Sequence, residues 1–350
     1  MITISLCMIV KNEEAVLERL LRTMSTVADQ IVIMDTGSTD RTKEIAARYT
    51  DEVYDFPWTD DFAAARNAVC QKAVSDYWMW MDADDVMEPE QAARLKNLKE
   101  TLDPSVDVVM MKYLTGFDEN GRTSFSYYRE RILKNHKGFQ WQGRVHEAVP
   151  PAGNILYTDI EIQHRKEGAG DKDRNLRIYE TMLSQGEPLE PRHQFYYARE
   201  LYYHERYEDA VRVFRVFLQE PDGWVENKID ACLHLALCEE HLGHTEKAVE
   251  ALLKSFLYDS PRGEACCELG RMKMKEEKYR EAAYWYTQAL SSRPAEQTGA
   301  FVRKDCYGFL PSIQLCVCYD RLGDHRRAWH YHLKSQKLKP EHPSVRQNQT

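Results

Sequence analysis

The sequence contains no apolar run long enough to cross a membrane. A spanning helix needs about 18 or more consecutive apolar residues, whereas the apolar start of the chain ends at residue 10. That start also lacks the basic residues and the small-residue cleavage site of a secretory signal peptide. We therefore expect a cytoplasmic protein without a membrane span.

The chain also lacks a surplus of basic residues and any cysteine spacing typical of a zinc site. The formal net charge of the 350 residues is -9, which argues against a nucleic-acid partner because phosphate neutralisation needs a basic surface. The nine cysteines are an odd number, and seven of them follow residue 230. Free cysteine packs as a small apolar residue, so we interpret these as buried thiols in a reducing compartment.

The first half of the chain alternates strand and helix patterns. Mostly apolar runs at residues 2–10, 31–34, 77–81 and 106–113 predict buried strands. The segments between them, such as 13–26 and 88–101, have the apolar spacing of helices. Strands that are apolar on both faces and separated by helices indicate an α/β fold with a mostly parallel sheet covered on both sides.

The second half is all-α and repetitive. In each of four units an alanine is followed 11 to 13 residues later by a proline, in the pairs Ala210/Pro221, Ala248/Pro261, Ala282/Pro294 and Ala328/Pro340. This pattern is typical of tetratricopeptide repeats. The unit spacing is irregular around residues 224–227 and 294–309, where we expect insertions or distorted loops. The predicted domains are therefore an α/β domain at 1–168 and a helical repeat domain at 169–350.

Polar side chains follow three of the predicted strands, at residues 11–14, 35–40 and 82–85. Binding residues of parallel sheets lie beyond the carboxyl ends of the strands, so these clusters are expected to share one crevice. The last of them, Asp-Ala-Asp-Asp, places three mutually repelling carboxylates within four residues. A bound Mg²⁺ or Mn²⁺ relieves that repulsion and neutralises a leaving diphosphate. The alternative is a solvated acidic turn in which Asp85 caps the next helix.

Residues 1 to about 115 resemble a family 2 glycosyltransferase with the GT-A fold. The matching stretches are residues 9–14, 31–40, 62–67 and 80–85, which occur in the order and spacing of that family. The resemblance implies an inverting transfer from a nucleotide-diphosphate sugar, with a UDP-sugar as the expected donor.

The resemblance also implies roles for particular residues. Asp35 contacts the base, Arg66 lies beside the nucleotide, Asp82 faces the ribose and Asp84 reaches the metal. Further nucleotide-sugar contacts are assigned to Val10, Asn12, Glu14 and Ala83. Thr36 stands where the family often has a second aspartate, which leaves base selectivity open. Asp35 as a simple turn residue and Arg66 as a surface helix residue remain alternatives.

The acceptor end of the site is assigned to residues 139–147, which are rich in aromatic and ionisable groups. Inverting transfer needs a base near the acceptor, and we expect Glu147 in this role, with His146 second. Trp141 is suited to stacking on a sugar. The stretch also resembles the Val-His-Glu sequence of glycosyltransferases that carry tetratricopeptide repeats. A His-Glu pair that only orders a loop is the alternative.

Two further segments complete the predicted site. His164 follows an alternating strand at residues 158–163, in the place where many GT-A enzymes have a histidine that completes the metal site. Residues 168–175 contain glycines followed by Lys172 and Arg174, and a mobile loop here would bring these cations onto the diphosphate. A plain linker with a helix cap is the alternative.

The helical repeats leave the acceptor and the assembly state open. Repeat arrays present surfaces suited to peptides, and the arrangement resembles enzymes that glycosylate bacteriocin peptides. The first hypothesis is therefore transfer to a Cys, Ser or Thr side chain of a peptide or protein. The alternatives are transfer to a cell-surface glycan, with the repeats used for assembly such as a homodimer, or an inactive binding scaffold.

Overall fold

A computed structural model of the chain describes residues 1–117, 121, 123–166, 171–295 and 298–347. The chain divides into two compact units, Met1–Glu187 and Pro188–Thr350. This division lies beyond residue 168, because the helix Arg174–Ser184 belongs to the first unit, where its buried Tyr179 stacks on His146. Within the described ranges, no helix is both long and apolar enough for a membrane crossing.

The first unit is built around one sheet with helices between its strands. The strands are β1 (Ile4–Val10), β2 (Gln30–Asp35), β3 (Val53–Asp55), β4 (Tyr77–Trp80), β5 (Asp85–Val86), β6 (Val108–Phe117), β7 (Thr123–Lys134) and β8 (Ile155–His164). The helices are α1 (Leu17–Met24), α2 (Thr42–Ala46), α3 (Phe62–Cys70), α4 (Pro89–Thr101) and α5 (Arg174–Ser184).

The sheet has the strand order β3-β2-β1-β4-β7-β6-β8-β5. The first four strands in this order are parallel, as the apolar runs predict. β7 is antiparallel to both of its neighbours, and β5 is antiparallel to β8. Neither β5 nor β7 is evident in the sequence. β5 has only two residues, and the charged residues Arg129, Glu130 and Arg131 interrupt the apolar pattern of β7.

Both faces of the sheet are buried, which explains the mostly apolar strands. Side chains alternate between the two faces of a strand. Leu6 and Met8 of β1 therefore join a core with Leu17 of α1, while Cys7 joins a second core with Val69 of α3 on the opposite face. β1 is therefore apolar on both faces except at Ser5, whose buried hydroxyl donates to the side-chain oxygen of Gln30.

The second unit consists of paired antiparallel helices. In the described part of the chain these are α6 (Pro191–Tyr203), α7 (Tyr207–Phe217), α8 (Val225–His241), α9 (Thr245–Lys254), α10 (Gly263–Lys275), α11 (Tyr279–Ser291), α12 (Phe309–Arg321), α13 (His325–Leu338) and the short α14 (Pro343–Gln347). The helix pairs α6/α7, α8/α9, α10/α11 and α12/α13 correspond to the four predicted units, which confirms the repeat prediction.

The sequence markers of the repeats have clear packing roles. Ala210, Ala248, Ala282 and Ala328 are all buried where the paired helices meet. The prediction of an insertion at 224–227 is wrong, since these residues begin α8, a helix of 17 residues. The irregularity predicted at 294–309 is confirmed for the described residues, which include a two-residue strand at Val302–Arg303 and a 3-10 helix at Lys304–Tyr307 between α11 and α12.

Candidate active site

The three polar strand ends are adjacent in the first unit, because β2, β1 and β4 are neighbours in the sheet. Asn12 and Glu14 connect the loop after β1 to the loop after β2. The Asn12 side-chain oxygen accepts the Thr39 N–H at 2.8 Å, and a Glu14 carboxylate oxygen accepts the Arg41 N–H at 3.1 Å. The two predicted contact residues thus order the rim of the site.

Asp35 ends β2 with a buried carboxylate that is 1% exposed. One oxygen, Oδ1, accepts the N–H groups of Gly37 and Ser38 at 2.9 and 2.8 Å. The other, Oδ2, is buried and has no hydrogen-bond partner. A buried acceptor without a partner is costly, so this oxygen is ready to accept an N–H group from a ligand. Val10 lies beside Asp35 in the sheet, and its carbonyl accepts the Thr36 N–H.

Arg66 is a buried bridge between two carboxylates. Its Nη2 donates to Asp82 Oδ1 at 2.7 Å and its Nε to Glu147 Oε1 at 2.6 Å. Burial by itself would raise the pKa of Asp82, but the charges of Arg66 and Arg131 outweigh it and lower this pKa to about 2. Arg66 is therefore not a surface residue of α3, and Asp82 is ionised at neutral pH.

The indole ring of Trp141 packs against the guanidinium of Arg66. Its ring lies 4.8 Å from the Arg66 guanidinium carbon and packs edge to face against Trp80 at 5.0 Å. The side chain is only 3% exposed. The expectation that Trp141 stacks on a sugar is therefore not met in this structure, because core packing and Arg66 already cover the ring.

Glu147 and His146 occupy adjacent but different surroundings. Glu147 is largely buried and bonded through Oε1 to Arg66. His146 has a left-handed backbone with φ of 51°, and its ring stacks on Tyr179. Its Nε2 is 3.5 Å from the side-chain nitrogen of Asn175 in α5. The Glu147 side chain thus reaches Arg66, while the neighbouring imidazole packs against Tyr179 of α5.

Asp84 and His164 come together although they follow strands far apart in the chain. Asp84 Oδ1 is 3.3 Å from His164 Nδ1, and β5 aligns Asp85 opposite His164 in the sheet. Ligand atoms of Asp84, Asp85 and His164 all lie within 4.8 Å of one another. Ala83, between Asp82 and Asp84, is buried. This group has the oxygen and imidazole donors that Mn²⁺ and Mg²⁺ sites use.

His164 binds a proton tightly in this arrangement. Burial would lower its pKa, but hydrogen bonds and charges from Asp84 and Asp85 raise it to about 10. A divalent cation at the same position competes with that proton, so cation binding should release it.

Asp85 does not cap α4, whose N-cap residue is Glu88. It is the first residue of β5 and fully buried. The capping alternative is wrong because three donors already engage the Asp85 carboxylate, from Arg131, Tyr113 and the Asp82 backbone.

The sequence alone assigns no role to three residues that contribute to the site. Burial, together with the charges of Asp84 and Asp82, raises the pKa of Glu13 to about 7, which makes it a fourth carboxyl group of the acidic cluster. Arg131 and Tyr113 reach the cluster from β7 and β6. Glu13 was visible only as part of a polar strand end, and no local pattern marks the other two.

The predicted diphosphate cations lie around the start of α5. Lys172 is exposed, and Arg174 is the first residue of α5, with its guanidinium carbon 4.6 Å from the ring centre of Phe62 at the start of α3. The glycines at 168 and 170 fall outside the described residues.

Comparison with known proteins agrees with this geometry. Residues 5–155 match the family model described as glycosyl transferase family 2. The first unit carries a family 2 glycosyltransferase domain. The matched range contains every strand-end loop from β1 to β4, together with Arg66 and Glu147, whereas His164 lies just beyond it.

Curated relatives match parts of this chain. The TPR repeat-containing protein Synpcc7942_0270 of Synechococcus elongatus is 32% identical over 149 residues, which are 43% of this chain and 36% of that protein. The glycosyltransferase SunS of Bacillus subtilis is 26% identical over 228 residues, 60% of this chain and 51% of that protein. The lipopolysaccharide core biosynthesis glycosyltransferase LpsC of Rhizobium meliloti is 26% identical over 152 residues, 41% of this chain and 56% of that protein. The chain thus spans about a third to just over a half of these relatives.

Proposed function

We propose that the family 2 domain transfers a sugar, with inversion, from a nucleotide-diphosphate sugar to an acceptor. One observation carries this proposal. Asp84 and His164 meet at 3.3 Å at the sheet edge where Asp35 keeps a buried, unpartnered oxygen. Cation ligands suit a diphosphate, and an unpartnered buried acceptor suits an N–H group of a nucleotide base.

The donor set of the acidic cluster fits Mg²⁺ or Mn²⁺. Asp84 and His164 would hold the cation, since Asp85 is already engaged by three donors. A bound divalent cation supplies charge neutralisation for the leaving diphosphate.

The strand-end loops fit a UDP-sugar. Asp35 Oδ2 would accept an N–H from the base, and Asp82 would face the ribose while Arg66 fixes its orientation. Val10, Asn12, Glu14 and Ala83 shape the loops that hold these groups. Lys172 and Arg174 would approach the diphosphate and exclude water from it.

Glu147 is our proposed base, with His146 as the second candidate. As the acceptor oxygen or sulfur forms its bond to the anomeric carbon, the bond from that carbon to the diphosphate breaks. The acceptor proton passes to the Glu147 carboxylate, whose Oε1 is held by Arg66, and the nucleoside diphosphate leaves. Arg66 therefore couples the acceptor side to Asp82 on the donor side.

For the acceptor, we propose a Cys, Ser or Thr side chain of a peptide or protein. The helical repeats support this, because repeat arrays offer extended surfaces for peptides. A glycan acceptor is the second candidate, favoured by the similarity to a relative named for lipopolysaccharide core biosynthesis. In that case the repeats would serve assembly, for example as a homodimer.

Hydrolysis of UDP-glucose in the presence of Mn²⁺ or Mg²⁺ tests the enzyme proposal. We expect slow release of UDP by the wild type and its loss in Asp84→Ala. Asp51→Ala, which removes an exposed carboxylate outside the strand-end loops, should leave the rate unchanged. Absence of turnover with UDP-, GDP- and dTDP-sugars and either cation would favour the binding scaffold.

Mass spectrometry of the acceptor separates the two acceptor classes. The full chain is incubated with a UDP-sugar and either a library of peptides containing Cys, Ser and Thr or a preparation of cell-surface glycans. A hexose mass increment on peptides, removed by Glu147→Gln, supports the peptide acceptor. Transfer to glycans alone contradicts it.

A further inference from the structure

A buried ion pair connects the acidic cluster to β7. Arg131 of β7 and Asp85 of β5 are both 0% exposed, and Arg131 Nη1 donates to Asp85 Oδ2 at 3.0 Å. Burying two charges is costly, and a buried ion pair is weak evidence for stability alone. The position of this pair, directly behind the proposed cation ligands, suggests another role.

Asp85 uses both of its oxygens to fix the acidic turn. Oδ2 accepts the Asp82 N–H at 3.0 Å as well as Arg131, and Oδ1 accepts the Tyr113 hydroxyl at 2.8 Å. The Asp85 N–H in turn donates to the Asp82 carbonyl at 3.0 Å. These reciprocal bonds close the turn on which Asp84 is carried, so a displaced Asp85 would displace Asp84.

Arg131 also packs against Tyr113, whose hydroxyl lies beside His164. Its guanidinium lies between the rings of Trp80 and Tyr113, with the central carbon 3.8 and 4.2 Å from the ring centres. The Tyr113 hydroxyl is 2.9 Å from His164 Nδ1. A planar guanidinium fits this slot between two rings, whereas a lysine ammonium does not. Arg131 thus acts on Asp84 through Asp85 and on His164 through Tyr113.

We propose that Arg131 is a positioning residue of the active site, which presets Asp84 and His164 for a divalent cation and contacts neither donor nor cation itself. This inference rests on the proposed function. Its effect should therefore appear in cation affinity measured without any sugar donor, and not only in turnover.

The test measures Mn²⁺ binding to the full chain by electron paramagnetic resonance of the unbound ion, with UDP binding measured separately. Arg131→Lys keeps the charge but loses the planar fork, and Tyr113→Phe removes one hydroxyl with little change in volume. Loss of a group that orients a metal ligand typically weakens metal affinity about 10- to 100-fold. We expect a loss in that range for Arg131→Lys and a loss near its lower end for Tyr113→Phe.

Two further variants separate positioning from folding. Arg131→Met with Asp85→Asn replaces the ion pair by neutral groups of similar size, so it should fold while still binding Mn²⁺ weakly. Arg129→Lys, on the same strand but outside the Asp85 contacts, serves as the matched control with wild-type affinity. Circular dichroism verifies the fold of each variant.

The outcomes are distinct. Wild-type Mn²⁺ affinity in folded Arg131→Lys and in the double variant would overturn the positioning role. If the wild type itself binds neither Mn²⁺ nor UDP, the proposed function fails before the variants are compared. Weakened Mn²⁺ binding in the variants, with wild-type affinity in Arg129→Lys, supports the proposal.

Discussion

The two units use the same unusual backbone conformation for different purposes. Glu205 and Glu277 of the helical unit have φ values of 59° and 56°, and Gly243 and Gly323 occupy the matching turns of the other repeats. In the sheet unit, Asn12 and His146 have φ values of 54° and 51° in loops of the candidate site.

The two units differ in whether the side chain of a left-handed residue makes a contact within the candidate site. In the helical unit glycine and glutamate are interchangeable between repeats, so the conformation serves only to reverse the chain. In the sheet unit the side chain at Asn12 bonds to the Thr39 N–H, and the His146 ring stacks on Tyr179 beside the Glu147–Arg66 pair. Residues in sparsely populated conformations often cluster at functional sites, and here only one unit follows that pattern.

The largest expected difference between the two units is in the unfolding free energy that is lost when a buried or an exposed ion pair is broken. Arg66→Met leaves Asp82 and Glu147 without their shared partner, and such a loss costs about 3–5 kcal/mol of unfolding free energy. Arg327→Met removes an exposed pair with Asp324 in the helical unit, for which we expect less than about 1 kcal/mol. Urea unfolding followed by tryptophan fluorescence measures both. Equal losses would show that the charges around Arg66 are not desolvated.

Alanine substitutions at two glycines test close packing in the helical unit and backbone conformation in the sheet unit. A Cβ at Gly270 in α10 would lie 2.8 to 3.0 Å from ring atoms of the buried Tyr286, so Gly270→Ala should destabilise by about 1–3 kcal/mol. Gly37 has open space but a φ of 103°, and Gly37→Ala should lose about 1–2 kcal/mol through strain.

Thermal unfolding and UDP calorimetry together distinguish the two glycine variants. Only Gly37→Ala should weaken UDP binding, because the Gly37 N–H donates to Asp35. Weaker UDP binding in Gly270→Ala, at a temperature where that variant is folded, would contradict the assignment.

Glu13 in the first unit and Asp230 in the second should contribute to the pH dependence of stability with opposite signs. The pKa of Glu13 is about 7 in the folded chain against an ordinary 4.5. The unfolded chain therefore holds fewer protons between these values, and stability falls as pH rises from 4.5 to 7. Burial would raise the pKa of Asp230 in α8, but His234 and Arg199 lower it from 3.8 to about 2, so its contribution is lost as pH falls through that range.

Melting curves at several pH values test this contrast. Glu13→Gln should remove the loss of stability above pH 4.5, and Asp230→Asn should remove the acid-side loss, each by an amount on the order of 1 kcal/mol. A wild-type profile in either variant would refute the corresponding assignment.

The smallest effect concerns the left-handed residues themselves. Glu277→Gly relieves a conformation that non-glycine residues disfavour, and we expect a gain of about 0.5 kcal/mol without functional loss. Asn12→Gly should change stability by a similarly small amount, yet weaken UDP binding because the Thr39 N–H loses its acceptor. Calorimetry on both variants checks this. Unchanged UDP affinity in Asn12→Gly would mean that its side chain does not order the rim.

Much of the fold could be predicted from local patterns. The buried parallel strands appear as mostly apolar runs, because both faces of β1 contact a core. The repeats appear through alanine and proline at regular spacing, since Ala210 and Ala282 pack where helices cross. β7 could not be predicted in the same way, because its buried Arg131 and Glu130 look like surface residues in the sequence.

The candidate site was predictable only in part. Asp35 and residues 82–85 are visible because they follow apolar strands directly. Local sequence did not show that Trp141 is buried against Arg66. It also did not show that Arg131 engages the Asp85 carboxylate, which was considered as a helix cap.

The sequence by itself determined the parallel strands, the helices between them and the helical repeats, and which acidic residues stand at strand ends. These features depend on the apolar periodicity of neighbouring residues, which a single segment contains completely. Only the tertiary structure decided that His164 meets Asp84, that Arg66 joins Asp82 to Glu147, and that Arg131 lies beneath them. Those contacts depend on strand order and on the burial of charge, which arise only when distant segments pack together.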